Sequence, residues 1–476
     1  MCYNYQTVMI KRYMRMRKFI GDKAFYKKVF FIAIPIIVQN AITNFVSLLD
    51  NLMVGQMGTD QMNGVAIVNQ IMFVFYLCSF GAVSGAGIFT AQYYGKGDDE
   101  GVRYTFRAKF VLLSFVLILG AVVFLTMGDD LIGHFLHETD GIGDAGATLR
   151  EGHSYMMIMI VGLIPFMITQ AYANTLRDIG QTVAPMVSGV IAVFVNLFLN
   201  WVLIFGHLGA PVLGVRGAAI ATVISRFVET TVIVCYTHIR RDKNAFIVGA
   251  YRSVKIPKAL MMQIIRKGTP LAINEGLWAL GMTLLNQNYS LRGLAVVGAL
   301  SISSTISNLF SVVYLAMGDS IAIIVGQLLG AGKMEEAKDT DRKMLFSSVV
   351  LCLIIGSLML GFRNLFPQLY NTEPEVKELA AFFILVLSVM MPFHAFLHGS
   401  YFTLRTGGKT IITFIFDSVF MWVLVVPCAY LIAHFTDWNI HLMYCLVSAL
   451  DFIKCIIGFV LVKKGVWVQN IVKNME

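Results

Sequence analysis

The chain is 476 residues long, 57% hydrophobic and 14% charged, with a mean hydropathy of +0.72. A soluble domain carries about twice that charged fraction, which excludes a water-soluble globular protein; the formal charge of +9 reads as membrane topology, not as affinity for nucleic acid. Seven scattered cysteines with no Cys-x-x-Cys pair argue against a disulfide framework or a metal centre.

In chain order, a basic stretch (1–28) precedes the first apolar segment, and no secretory signal is evident. A membrane span needs about 20 largely apolar residues. Twelve such segments are read: 29–52, 64–94, 105–127, 153–176, 183–205, 214–238, 262–290, 297–328, 344–362, 379–404, 410–434 and 440–462. They predict an all-α integral membrane protein of two six-helix lobes, 29–238 and 262–462, joined by a basic linker (239–261) and followed by a tail (463–476). With both termini cytoplasmic, and with the basic loops read near 95–109 and 240–267 so that Arg107, Lys109, Arg266 and Lys267 count as loop residues at the approximate span borders, 30 of the 37 Lys and Arg lie on the inner side and five (Arg150, Arg216, Arg292, Arg363 and Lys377) on the outer; Arg226 and Lys454 fall inside spans. The runs Lys11–Lys28 and Arg240–Lys258 are expected against anionic headgroups. The linker reads either as a long tether that lets the halves move or as a segment that merely crosses the bundle to begin the second repeat.

The two halves repeat. At an offset of 235, Pro35 matches Pro270, Gly58 matches Gly293, Gln92 matches Gln327, Gly95 matches Gly330 and Gly97 matches Gly332. Pro165-Phe166 and Gly180-Gln181-Thr182 return as Pro392-Phe393 and Gly408-Lys409-Thr410 at offsets of 227–228, each with a Thr placed to cap the next helix. A duplicated half built of apolar spans, with prolines inside them, predicts a secondary transporter that holds its substrate between the two halves.

Charges inside a span cost about 2.5–3.5 kcal/mol on insertion scales, so each is a functional candidate. Arg226 and Glu229, and likewise Asp451 and Lys454, are spaced i, i+3 and are expected to neutralise each other along one helix face. Asp50 and Glu275 have no basic residue within a helical turn. Protonation, a bound Na⁺ or a distant partner such as Arg226 would satisfy them. Asn196 and Asn200 share a face of helix 5, where amide oxygens beside a carboxylate suit a hard cation or a hydrogen-bond network. Asp319, Asp417 and the i, i+4 pair His394 and His398 are further candidates. The Met and aromatic content is compatible with a cavity for lipophilic cations. Gly326–Lys333 imitates a phosphate-binding loop, but its spacing is one residue too long and Met334 stands where Ser or Thr is needed. With no ATP site and no hydrolase motif, the chain is expected to be neither an enzyme nor dependent on a cofactor.

Several segments resemble the multidrug and toxic compound extrusion (MATE) transporters: Ala33-Ile-Pro35 through Gln39-Asn40 to Leu49-Asp50-Asn-Leu-Met-Val54-Gly55-Gln-Met-Gly58, then Gln92–Asp98, Leu176–Thr182, Gly217–Thr222 and Lys463–Trp467. The resemblance runs from about residue 25 to the end. It implies two pseudo-symmetric six-helix lobes in a V, and a monomer in the inner or plasma membrane that exchanges H⁺ or Na⁺ for organic cations and amphipathic drugs. It places the N-lobe cation site on Asp50, Asn196 and Thr222. Asn200 stands where many relatives carry a second aspartate, so one negative charge is missing. The helix 7 glutamate of some members falls on Glu275, and their helix 10 aspartate on His394. A lipid-linked precursor flippase of similar architecture is the rival reading; it would need a basic cavity, whereas the charges within these spans are mainly acidic.

Overall fold

The computed structural model describes residues 19–136, 144–473 and 475, without the side chains at 48, 51 and 52. The basic run from Lys11 to Lys18 lies outside them. Among the described residues, twelve long helices, the bent pair in α4 taken as one, follow the twelve expected segments: α1 (Lys23–Gly55), α2 (Thr59–Lys96), α3 (Asp99–Gly133), α4 (Ala145–Val161 and Leu163–Asp178), α5 (Val183–Phe205), α6 (Gly214–Ile239), α7 (Lys258–Ser290), α8 (Leu294–Gly330), α9 (Met334–Gly361), α10 (Pro374–Thr406), α11 (Thr410–Phe435) and α12 (Ile440–Lys463). Among the described residues, ten are long and apolar enough to cross a membrane, and α4, bent by 47°, makes eleven. The exception is α7, where Lys258, Arg266, Lys267 and Glu275 dilute the apolar run.

Local chemistry sets the borders. Asp98 caps α3 by accepting from the Gly101 amide at 2.8 Å, and Asp99 and Glu100 fill its first turn. Most of the basic segment 95–109 is therefore helix and not loop, and Lys109 is wholly buried. The expected Thr caps do not form: Thr182 makes no side-chain capping bond, and Lys409, not Thr410, holds the cap position of α11. The bend in α4 falls at Gly162, three residues before Pro165, whose ring removes a backbone donor. Arg226 donates to the Gly162 carbonyl at 3.3 Å, and Thr230 donates to the Pro165 carbonyl at 2.8 Å, so freed acceptors find partners inside the protein.

The chain forms two compact units, one of Met1–Ile37, Ala91–Gly97 and Ile273–Glu476, the other of Val38–Thr90 and Asp98–Ala272. Both α1 and α7 change unit two residues past a repeated proline, Pro35 or Pro270. In the first unit, Val29, Ile32, Ala33 and Ile36 of α1 pack into a core with α8 and α10. In the second, Gly81 and Gly85 of α2 meet Ala272 and Gly268 of α7 at backbone distance.

The linker is pinned down, unlike the tether its length suggested. Arg107 donates to the carbonyls of Ala250, Gly249 and Lys255 at 2.8–3.1 Å, and Arg103 to that of Phe246 at 3.2 Å. Phe246 and Ile247 are buried.

In the first unit the repeated glycines face each other. A Cβ on Gly95 would lie 1.9 Å from the Gln327 carbonyl oxygen, and one on Gly330 would lie 1.9 Å from that of Gln92. Gly330→Ala is expected to lower stability by about 1–3 kcal/mol, as overpacking does. Gly276→Ala, whose Cβ would meet nothing within 4 Å, is the control. Thermal unfolding of detergent-purified protein checks it, and equal midpoints for the two variants would refute it.

Candidate functional site

The second unit gathers a polar cluster from three helices. α5 ends on Gly206, whose φ of 74° closes the helix in the left-handed conformation. A Cβ on Gly217 of α6 would lie 2.6 Å from the Leu203 carbonyl oxygen, so only glycine permits this approach of α5 to α6. That packing brings Thr222 to Asn196, and α1 supplies Asp50.

Asn200 Nδ2 donates to Asp50 Oδ1 at 2.7 Å. In one orientation of its amide, Asn196 accepts from Asn200 Nδ2 at 3.2 Å and donates to Thr222 Oγ1 at 3.3 Å. Turned over, it donates to both Asp50 oxygens at 3.0 and 3.1 Å and accepts from the Thr222 hydroxyl at 3.3 Å. Amide orientation is assigned from such networks, and the second choice gives the carboxylate two amide donors, which suits its charge. Asn200 is 2% exposed, and its Oδ1 has no hydrogen-bond partner among the described residues. The cluster thus joins one carboxylate, a hydroxyl and an unpartnered buried amide oxygen, all hard-cation ligands. Among the described residues Asp50 forms no ion pair, and no group of three or more His, Cys, Asp or Glu could hold a metal.

Arg226 is not that carboxylate's partner, nor does it pair with Glu229. Its guanidinium donates to the Tyr76 hydroxyl and to Gly162, and lies over the Tyr76 and Phe166 rings at 5.5 and 5.2 Å. Asp451 and Lys454 likewise ignore each other. Lys454 reaches across from α12 to Asp417 Oδ1 of α11 at 2.7 Å, and Asp451 takes His394 Nε2 at 3.2 Å. His394 therefore has the acidic partner that its sequence neighbours did not reveal.

In the first unit, Asn274 of α7, 1% exposed, holds α11. Its Nδ2 donates to Asp417 Oδ2 at 3.0 Å, and its Oδ1 accepts from the Ser418 amide and hydroxyl at 3.2 and 2.7 Å. Here α11 widens into wide turns over Ile415–Val419 and Met421–Val425, a distortion frequent at functional sites. Glu275 accepts from the Tyr401 hydroxyl at 3.3 Å. His398 packs against the rings of Tyr314 and Tyr401, and a Cβ on Gly318, beside Asp319, would meet His398 at 3.1 Å. Asn274 was missed in the sequence, yet the repeat pointed to it. It stands 235 positions after Gln39, whose Oε1 accepts from Arg177 at 2.8 Å.

Against known families, residues 35–202 and 270–431 match the MatE family model. The chain is 24% identical over 411 residues to the probable multidrug resistance protein NorM of Thermotoga maritima, covering 86% of each chain. Two solved structures share the fold: a MOP superfamily transporter from Pyrococcus furiosus (TM-score 0.82, 19% identity, 94% of this chain and 97% of that one) and a mutant of the Vibrio cholerae MATE transporter VcmN (0.83, 18%, 94% and 98%).

Removing one partner of a buried ion pair costs about 3–5 kcal/mol. Lys454→Met is therefore expected to lower stability by about 3 kcal/mol, and adding Asp417→Asn to recover at least half of the loss. Thermal unfolding of the two variants decides it: a double variant no more stable than the single would show that Asp417 carries no uncompensated charge once Lys454 is gone.

Proposed function

Because this chain belongs to the MatE family, whose members are membrane transporters and not enzymes, we propose that it is a cation-coupled antiporter that exports organic cations and amphipathic drugs across the cytoplasmic membrane. The observation that carries the reading is Asp50: a carboxylate on a membrane helix, held by amide donors and without an ion-pair partner among the described residues. A proton or Na⁺ is the substrate this cluster takes. Binding it neutralises the carboxylate, which no longer needs both Asn196 and Asn200 as donors. The freed amides then re-pair with one another and with Thr222, and α1 is released from α5. That change would be the step that lets go of the drug.

The single negative charge matches a monovalent ion, and the departure at Asn200 removes the second carboxylate that a tighter Na⁺ site would use. Glu275, next to the Asn274 anchor, offers counter-charge to a cationic substrate. The acidic balance of the polar residues in these spans favours a cationic cargo over a lipid-linked pyrophosphate.

Ethidium efflux from membrane vesicles, with H⁺ and Na⁺ gradients imposed separately, tests the proposal. Efflux is expected under one or both gradients, and Asp50→Asn, expressed at normal level, is expected to fall to the rate of empty vesicles. Unchanged efflux in that variant would refute the coupling role. No efflux under either gradient, from folded protein, would move the reading to a lipid flippase.

A further inference from the structure

Each half contains a buried threonine relay, and the two are built with opposite charges. In the second unit, Lys109 Nζ of α3 donates to Thr175 Oγ1 at 3.0 Å, and that hydroxyl donates to the Ala171 carbonyl at 2.8 Å. Asp178, 2.7 Å away, neutralises the lysine. In the first unit, Thr403 Oγ1 of α10 donates to the Gly399 carbonyl at 2.9 Å and lies 2.5 Å from Asp341 Oδ1 of α9. Thr403 and Gly399 each stand 228 positions after Thr175 and Ala171, and Asp341 stands 232 after Lys109. Asp341 thus reaches Thr403 from α9 as Lys109 reaches Thr175 from α3, but from about one helical turn earlier in the repeat, whose offset of 235 pairs Lys109 with Met344. Asp341 is 1% exposed.

A hydroxyl has one hydrogen, and Thr403 has two acceptors within reach, Asp341 Oδ1 at 2.5 Å and the Gly399 carbonyl at 2.9 Å, so it cannot fully serve both unless Asp341 brings a proton of its own. Among the described residues, an ionised Asp341 would be left with that shared donor and no ion pair, only the field of the neighbouring Arg342, a combination the buried interior penalises. A neutral Asp341 gives a complete chain, acid O–H to Thr403, then Thr403 O–H to Gly399. The charged groups on the packed elements do not change this. Arg342 and Lys343 turn to Asp339, and Lys338 pairs with Glu335. On α10, Arg405 lies over the Phe402 ring and His398 packs on Tyr314 and Tyr401; the only charged residue of α8 is Asp319. At the end of α12, Lys463 lies over the Phe459 ring, and none of these forms an ion pair with Asp341.

We propose that Asp341 is a proton-binding site of the C-terminal half, a neutral acid in this structure that exchanges its proton with water at the nearby end of α9. Exposed Glu335 and Glu336 lie less than two turns away on the same helix.

Infrared spectroscopy of the full chain purified in detergent, over a pH series, reads this directly and measures no transport, so it stands or falls apart from the export reading. A protonated-carboxyl C=O band is expected at neutral pH. It should be absent in Asp341→Asn, move in frequency in Thr403→Val, and vanish as the pH is raised while helicity is unchanged. Identical spectra for wild type and Asp341→Asn would mean an ionised Asp341 and overturn the proposal. A band that persists until the protein unfolds would mean a proton that does not exchange, and would overturn it too. Asp341→Glu, whose band would shift instead of disappearing, serves if Asp341→Asn does not fold.

Discussion

The backbone contact of α2 with α8 is the constraint on which the first unit depends. Gly95 abuts Gln327 and Gly330 abuts Gln92 at equal distances, so equivalent residues of the two repeats cross about a local two-fold relation. Only glycine allows such an approach, which membrane helices use because apolar burial drives little association in lipid. The crossing also organises what lies beside it. Gln92 donates to the carbonyls of Thr406 and Gln469 and accepts from the Ile471 amide, while Asn470 donates to the Gly330 carbonyl. The segment after α12, with Trp467 buried, is thereby fastened to the ends of α2, α8 and α10.

Charges are handled by the same logic of tying helices together. A pair at i, i+3 satisfies itself and joins nothing. Lys454 with Asp417, His394 with Asp451 and Lys109 with Asp178 each link two helices. In a membrane, where apolar burial holds helices only weakly, such cross-links specify which neighbours meet. Asp50 stands apart from these pairs: it too is reached from another helix, but by neutral amides, which leaves its charge available.

The sequence made the helices legible because solvation in lipid is a one-dimensional property: a run of apolar residues declares itself. The repeat was legible for a similar reason, since Pro35, Pro270, Gly95 and Gly330 punctuate backbone geometry. Asp50, Asn196, Asn200 and Thr222 were foreseen together, and the fold brings them together. Ion-pair partners were not legible. Spacing offered Arg226 the carboxylate of Glu229, yet a tyrosine and a bend carbonyl took its donors; which groups face a side chain depends on the rotation of neighbouring helices, and that is a property of packing. Lys109 looked like a surface charge for the same reason: its partner, Asp178, is 69 residues away.

The segments after α6 and after α12 complete the comparison of the halves. Each is irregular, each follows the sixth helix of its repeat, and each is held by side-chain bonds to backbone groups. Arg103 and Arg107 of α3 hold the linker, and Gln92 and Asn470 hold the tail. Side-chain donors aimed at carbonyls satisfy backbone that has no helix to satisfy it. A linker held in this way is part of its own unit, so its length is not spare reach between the halves. The continuous helices that pass from one unit to the other are α1, α2 and α7, and α1 and α7 do so just beyond a proline, where the helix already lacks a hydrogen bond. Pro35 and Pro270, the same residues by which the repeat first declared itself, thus mark two of these three crossings.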